Sequence, residues 1–318
     1  GGGGGRGGGG GGGGGRGGRS MGAVRRHLSF PARCVIGAVL KQAVDTDVVW
    51  EPQLGAYFNP RLGACNVWEV PICLEGVAQV RDIFELSIRQ PLAQLSSSEE
   101  GRRRHALRTE TGHFFVMRPP GWGSDICWVS CDDAQTLDRF EAIFRRLQLP
   151  EAFGPVIQQS DQIRMYSAFY VVRSKCSRLK LHCDYVREAG INALTLITPL
   201  DGYDPSQFQL TYARTGRPSD VSDLDCLPPE SSFDRYVYRP GRAIIFGSGF
   251  WHSTELGEAL DDPNVYLCFT FGTDKLSEWK AIAETIGTYQ SRIIRLPNGD
   301  LGLTQLGEYL EREEPDWV

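Results

Sequence analysis

Histidine is scarce in this 318-residue chain. There are five, at His27, His105, His113, His182 and His252, and only the last two lie beyond residue 130. An excess of positive charge is also missing. Lys and Arg number 34 against 39 Asp and Glu, a net charge of -5, which disfavours nucleic acid or an anionic membrane as the main partner. No apolar run is long enough to cross a bilayer. The stretch around Cys34 to Leu40 falls far short of the roughly 20 residues a spanning helix needs. A disulfide framework is lacking too: nine cysteines are an odd number in a chain that is not small. Cys127-x-x-x-Cys131 has no matching second pair, which excludes the usual structural zinc site. The thiols are expected to be free, in a reducing intracellular compartment. The remainder, 41% hydrophobic and 10% aromatic residues, is ordinary for a globular protein with a full core.

The two late histidines fall in a pattern with chemical content. His182-Cys183-Asp184 is followed 70 residues later by His252, in Phe246-Gly-Ser-Gly-Phe250-Trp-His252-Ser253. Two imidazoles and one carboxylate can occupy one face of Fe(II) and leave the opposite face open. On a β-strand, alternate side chains point the same way. His182 and Asp184 are therefore expected to project together, with Cys183 behind them and His252 supplied by a neighbouring strand. An isolated H-x-D tripeptide also arises by chance. Here both histidines beyond residue 130 are used, each beside a strand-like run, Leu179 to His182 and Ala243 to Phe246.

Strand-like runs rich in β-branched and aromatic residues recur through this region. They are Met165 to Val172, Arg178 to Tyr185, Ala193 to Thr198, Phe208 to Tyr212, Arg235 to Tyr238, Arg242 to Phe246 and Tyr266 to Phe271. Asp201-Gly202 and Pro240-Gly241 are turn pairs between them. Many short strands with few intervening helices predict an antiparallel sandwich or barrel rather than an alternating α/β fold.

The stretch from about Gln162 to Lys275 resembles the core of the Fe(II)/2-oxoglutarate-dependent dioxygenase superfamily, in its prolyl-hydroxylase and phytanoyl-hydroxylase-like group. The residues that carry the resemblance are Lys180-Leu-His-Cys-Asp184-Tyr185, Asn192 to Leu200, Tyr238-Arg-Pro-Gly-Arg242 to Phe246, His252-Ser-Thr-Glu255 and Val265 to Gly272. They span about a third of the chain. The resemblance implies a mainly β fold with flanking helices and a double-stranded β-helix (jelly-roll or cupin-like) core. It further implies Fe(II) held by His182, Asp184 and His252, 2-oxoglutarate and O2 as cosubstrates, and hydroxylation of a small molecule or a protein side chain. The sequence departs from that group at one point. The group's basic residue near the start of the last strand, which pairs with the far carboxylate of 2-oxoglutarate, would fall near Val265. No Arg or Lys lies between His252 and Lys275, and none between Ile191 and Leu200. A buried carboxylate without a cation is costly, so another cation must serve or the cosubstrate differs. Strand parity puts Lys180 on the face of His182 and Asp184 and makes it the first candidate. Arg173 and Arg242 rank behind it, and Thr195 and Thr270 are candidates for a hydroxyl-lined pocket.

Three other readings stand beside this one. They are a metal-dependent oxygenase with another cosubstrate, a β-helix binding module without catalysis, and an RNA-associated protein acting through its N-terminus. Residues 1–20 are nearly all glycine with Arg6, Arg16 and Arg19, a tract expected to be disordered. It is read as translated upstream sequence rather than a working tail, although such compositions do bind RNA. Residues 21–44 hold Arg25, Arg26, His27, Arg33 and Lys41 and no acid, a weak likeness to a targeting peptide if Met21 is the start. The oxygenase domain is placed at 45–275, with N-terminal helices supporting the larger sheet and the β-helix core from about 162. Val77 to Ile88 reads as an amphipathic helix, and Asp132-Asp133 caps another that carries Leu137, Phe140, Ile143, Phe144 and Leu147. Ser96 to Arg104 reads as a solvated loop, and Trp122 and Trp128 as pocket-lining or packing residues. A C-terminal extension, 276–318, opens with a helix over Leu276 to Ile286. A hairpin about Pro297-Asn298-Gly299 and an acidic helix-like end follow.

Overall fold

The computed structural model describes residues 48–96, 104–118, 126–157, 159–200, 207–216, 226, 232–259, 262–286 and 291–313. The glycine tract, the basic segment 21–44, most of the Ser96 to Arg104 loop, Trp122 and the Asp201-Gly202 turn lie outside them. The first half runs β1 (Val49–Glu51), β2 (Ala56–Asn59), β3 (Ala64–Cys65), β4 (Val67–Pro71), α1 (Leu74–Ile83), a π-helical turn Phe84–Ile88, α2 (Arg89–Ser96), β5 (Arg104–Thr109), β6 (Gly112–Met117), β7 (Ile126–Cys131), α3 (Ala134–Arg146) and α4 (Leu149–Phe153). The second half runs β8 (Arg164–Arg173), β9 (Lys175–Cys176), β10 (Ala193–Pro199), β11 (Leu210–Ala213), β12 (Phe233–Tyr236), β13 (Arg242–Phe246), β14 (His252–Thr254), β15 (Gly257–Glu258), β16 (Asn264–Gly272), α5 (Trp279–Ile286), β17 (Ile293–Arg295), β18 (Leu301–Leu303) and α6 (Gln305–Glu313).

Eight strands form one antiparallel sheet in the order β4-β13-β10-β16-β8-β7-β6-β5, and a smaller sheet has the order β12-β11-β14. Between β8 and β16 the chain passes repeatedly from one sheet to the other. It leaves the large sheet at β8, touches β14 at a lone His182–His252 bridge, and returns as β10. It then forms β11 and β12 of the small sheet, re-enters the large one at β13, supplies β14, and closes on β8 as β16. That alternation is the winding of a double-stranded β-helix. The large sheet is extended past it by β4 on one side and by β7, β6 and β5 on the other, strands that the sequence patterns left unassigned.

Period-two alternation sorts β16 between two cores. Val265, Leu267, Phe269 and Phe271 face the helices, while Tyr266 and Cys268 face the small sheet. Both faces are buried, which is why the segment reads as one continuous apolar run. On the helix side, Phe271 meets Phe144 of α3 and Phe153 of α4 at ring-centroid distances of 5.2 and 5.6 Å. Truncating such a side chain to alanine costs about 3–5 kcal/mol. Helix α3 begins where expected: the Asp133 carboxylate accepts from the Thr136 backbone N–H at 2.6 Å. Its predicted apolar stripe, Leu137, Phe140, Ile143, Phe144 and Leu147, is fully buried on the sheet. The Pro240-Gly241 turn also forms, with Gly241 at φ +77, where a side chain would be strained. The β17–β18 hairpin turns through Gly299 at φ +97.

One predicted strand is absent. Arg178 to Tyr185 is irregular except for the single bridge at His182. Its neighbour β14 is three residues long and pairs along its whole length with β11 on its other side. The alternation assumed for Lys180, His182 and Asp184 therefore does not hold there. Smaller shifts occur at strand ends: Phe208 to Tyr212 becomes Leu210–Ala213, and Arg235 to Tyr238 becomes Phe233–Tyr236.

Candidate metal centre

His182 and His252 exchange two backbone hydrogen bonds, His182 N–H to His252 C=O at 3.0 Å and the reverse at 2.9 Å. Directly opposed residues present their side chains on the same face, so the two imidazoles lie side by side, ring centroids 4.5 Å apart. Each ring is turned by the same device. His182 Nδ1 lies 2.8 Å from the Lys180 carbonyl, and His252 Nδ1 lies 3.0 Å from the Phe250 carbonyl. A carbonyl can only accept, so both Nδ1 atoms carry a proton, and in the neutral rings it is Nε2 that offers the lone pair. Asp184 Oδ1 sits 3.6 Å from each Nε2. That spacing is too long for hydrogen bonds. It is near the roughly 3 Å expected between adjacent donors on one ion with bonds of about 2.1 Å.

His252 is set into the core. Its ring lies 4.5 Å from that of Phe246 and stacks at 5.5 Å on Phe250. Burial, and then His182 beside it, push its pKa down to about 4, so it is neutral and ready to ligate at physiological pH. The loop that delivers it is held by Asn66, which stands at φ 51 between β3 and β4. The Asn66 amide donates to the Ser248 carbonyl at 2.7 Å, its carbonyl oxygen accepts from the Tyr57 N–H, and its backbone C=O accepts from the Gly247 N–H. Asn66 carried no signal in the sequence, since it lies 186 positions before His252.

Asp184 is fixed from the large sheet. Its Oδ2 accepts from Thr195 Oγ1 on β10 at 2.8 Å, and Thr195 Oγ1 lies 3.0 Å from the Tyr185 hydroxyl. Thr195 thus does border the site, though as a partner of Asp184.

The three donors open into a cavity of about 250 Å3. Its walls follow strand alternation: Ile126 and Trp128 from β7, Phe169, Val171 and Arg173 from β8, Thr195 and Ile197 from β10, and Tyr266 and Cys268 from β16. Leu210 and Thr254 contribute from the small sheet, with Phe208 and Tyr238 beside it, and Glu284 and Thr285 from α5. Cys183 borders the cavity as well, against the expectation that it points behind, because its segment is not a regular strand.

The predicted anchor residues separate. Lys180 does not line this cavity and is exposed. Its backbone braces the site: its N–H donates to Ser253 Oγ at 2.8 Å and its C=O accepts from His182 Nδ1. Arg242 is exposed at the start of β13. Thr270 is buried, but its hydroxyl pairs with Ser167 across the β16–β8 ladder at 2.7 Å and does not line the cavity. Arg173 does line it, at 4% exposure. The Cys176 thiol lies beside it, and among the described residues no carboxylate pairs with it. Burial lowers the pKa of its guanidinium. The sequence signal was available: Phe169, Val171 and Arg173 keep period two along β8, so the arginine shares the face of two cavity-lining residues.

No family model matches this chain, and no curated protein matches it. Solved structures do resemble it. They include the non-heme alpha ketoglutarate dependent epimerase SnoN from nogalamycin biosynthesis, with 14% identity, 77% of this chain and 84% of that one covered, and a TM-score of 0.40. A Pseudomonas putida prolyl-4-hydroxylase matches with 13% identity over 75% of this chain and 98% of that one, TM-score 0.39. HygX from Streptomyces hygroscopicus, with nickel and 2-oxoglutarate bound, matches with 14% identity over 65% and 83%, TM-score 0.39.

Proposed function

We propose that this chain is an Fe(II)- and 2-oxoglutarate-dependent oxygenase. One observation carries the reading. A two-histidine, one-carboxylate donor set, with both imidazoles locked as Nε2 donors, faces a cavity whose wall also holds a buried arginine that has no carboxylate partner among the described residues.

The donor set suits a ferrous ion, since two neutral nitrogens and one anionic oxygen leave positions open for further ligands. The cavity suits a small dicarboxylate. A buried Arg173 that pairs with no carboxylate of the described residues is costly, and a ligand carboxylate would relieve that cost through paired charge-assisted hydrogen bonds. Arg173 on β8 thereby answers the missing cation near Val265. Val265 pairs with Val172 and Asn264 with Arg173 in the β16–β8 register, so the guanidinium arises from the strand beside the expected one. When bound, iron and 2-oxoglutarate supply O2-dependent oxidation with release of succinate and CO2. The protein's own share is different: His182, Asp184 and His252 hold the ion, Arg173 orients the cosubstrate, and Trp128, Phe169, Phe208 and Tyr266 exclude water. The substrate is a small molecule or a protein side chain.

The test is calorimetric titration of 2-oxoglutarate into Mn(II)-loaded protein, which needs no turnover. The wild type should bind one equivalent. Arg173→Met should lose about 2–5 kcal/mol of that affinity, the scale for stranding a buried charge, with Mn(II) affinity unchanged. A wild type that binds Mn(II) but not 2-oxoglutarate would overturn the cosubstrate. It would leave a metal-dependent oxygenase with another one.

A further inference from the structure

Asp184 has two oxygens and they are treated differently. Oδ1 faces both Nε2 atoms at 3.6 Å, while Oδ2 is turned to Thr195 Oγ1 at 2.8 Å. The proton bookkeeping along this contact is determinate. A threonine hydroxyl has one proton, and an ionised carboxylate can only accept. Thr195 therefore gives its proton to Asp184 Oδ2. The Tyr185 hydroxyl oxygen, 3.0 Å away, is a second acceptor facing the same Thr195 Oγ1. Of the two acceptors the carboxylate is the charged and nearer one, at 2.8 Å, so the contact with Asp184 is the stronger.

Each link is mechanically fixed. Thr195 is 4% exposed and sits in the middle of the large sheet, its backbone registered to Phe246 on one side and Thr270 on the other. Tyr185 is 3% exposed and packs with Tyr166, Ala189, Ala193, Ile282 and Ile286. Asp184, by contrast, lies on the irregular segment, where no ladder holds its backbone. Its carboxylate orientation therefore depends on side-chain contacts from elsewhere.

We propose that Thr195, backed by Tyr185, is a positioning pair that ties off Asp184 Oδ2 so that the carboxylate ligates through Oδ1 alone. The proposal rests on the metal-centre reading above. Its consequence is a count of open positions. One oxygen from Asp184 and two imidazoles fill three sites of an octahedral ion and leave three. A freed Oδ2 could swing in and take a fourth, so that a chelating cosubstrate would have to compete with it for position or leave none for O2. Residue type at 195 then sets what the centre can accept, without Thr195 touching the metal.

The experiment loads wild type, Thr195→Val, Thr195→Ser and Tyr185→Phe with Co(II). It records the visible ligand-field spectrum, and then titrates 2-oxoglutarate into the Mn(II)-loaded forms. Thr195→Val should still bind one metal ion. Its Co(II) spectrum should shift in intensity and position, reporting changed coordination, and its 2-oxoglutarate affinity should fall at least tenfold. Thr195→Ser, which keeps the hydroxyl, should restore both. Tyr185→Phe should shift both in the same direction by less, and it carries the test if Thr195→Val does not fold. An unchanged Co(II) spectrum in Thr195→Val and in Tyr185→Phe, with wild-type 2-oxoglutarate affinity, would overturn the positioning role and leave the metal centre standing. A wild type that binds neither metal would overturn the metal-centre reading and this inference with it.

Discussion

The metal centre is assembled from two arms of unlike construction. His252 belongs to the core: its side chain is 6% exposed, ringed by Phe246 and Phe250, and delivered by a loop that Asn66 holds. The His182–Asp184 arm lies outside the regular sheet, with side chains 30% and 17% exposed. It is kept in place by one bridge, the Lys180–Ser253 contact and the Thr195 hydroxyl. Packing builds the first arm and hydrogen bonds the second. The two should accordingly answer mutation in different currencies, one in fold stability and the other mainly in ligand geometry.

The largest contrast is expected between the two histidines. His252→Ala and His182→Ala should both remove Mn(II) binding from a titration that detects the wild type. In the metal-free protein, however, His252→Ala should cost about 2–4 kcal/mol of unfolding free energy, because it opens a hole among aromatic rings. His182→Ala should cost less than about 1 kcal/mol. Denaturant melts of the metal-free variants decide it, and equal losses would abolish the distinction.

Acid should separate the arms next. The His252 pKa, near 4 in the folded state, lies below the usual 6.5 of the unfolded chain. Between those values the unfolded chain takes up a proton that the folded one refuses, so the metal-free protein loses stability as pH falls from about 6.5 to 4. The loss is on the order of 2–3 kcal/mol, with no contribution from this group above that window. Comparing chemical denaturation across that range in wild type and His252→Gln isolates it: the slope should flatten in the variant.

The smallest effect belongs to the exposed ammonium of Lys180. Lys180→Met should leave Mn(II) affinity, 2-oxoglutarate affinity and stability all within about 0.5 kcal/mol of wild type, since its side chain is exposed and does not line the cavity. A large loss of 2-oxoglutarate affinity here, with Arg173→Met silent, would exchange the roles of the two cations.

The same division explains what could be read from the amino-acid sequence. The three donors were legible because His and Asp are rare at such spacing and their chemistry is specific. Strands β8, β10, β13 and β16 were legible because both their faces are buried and their residues are β-branched or aromatic. The run from Arg178 to Tyr185 holds no β-branched residue and one aromatic, Tyr185, and it pairs at a single rung. Parity then named Lys180 where Arg173 lines the cavity. Arg173 needed knowledge of register: only the pairing of β8 with β16 puts it next to the position where a cation was missed. Thr195 was named for the pocket, but its link to Asp184 depends on the approach of an irregular segment to the large sheet, which no local pattern encodes. Strand β4 went unassigned because its partner β13 lies far along the chain, whereas β5 and β6 form a local hairpin that the patterns missed.

The reciprocal backbone pair between His182 and His252 joins positions 70 residues apart. An ion held by both side chains would act there as a cross-link, closing a long loop that backbone contact alone pins at a single rung. Loop closure of that length is entropically demanding, and a metal clip removes the demand from the unfolded side of the equilibrium as much as it adds contacts to the folded side. The centre would then serve as a fastener between the two windings of the β-helix, so that amide exchange at His182 to Asp184 reads out occupancy of the site.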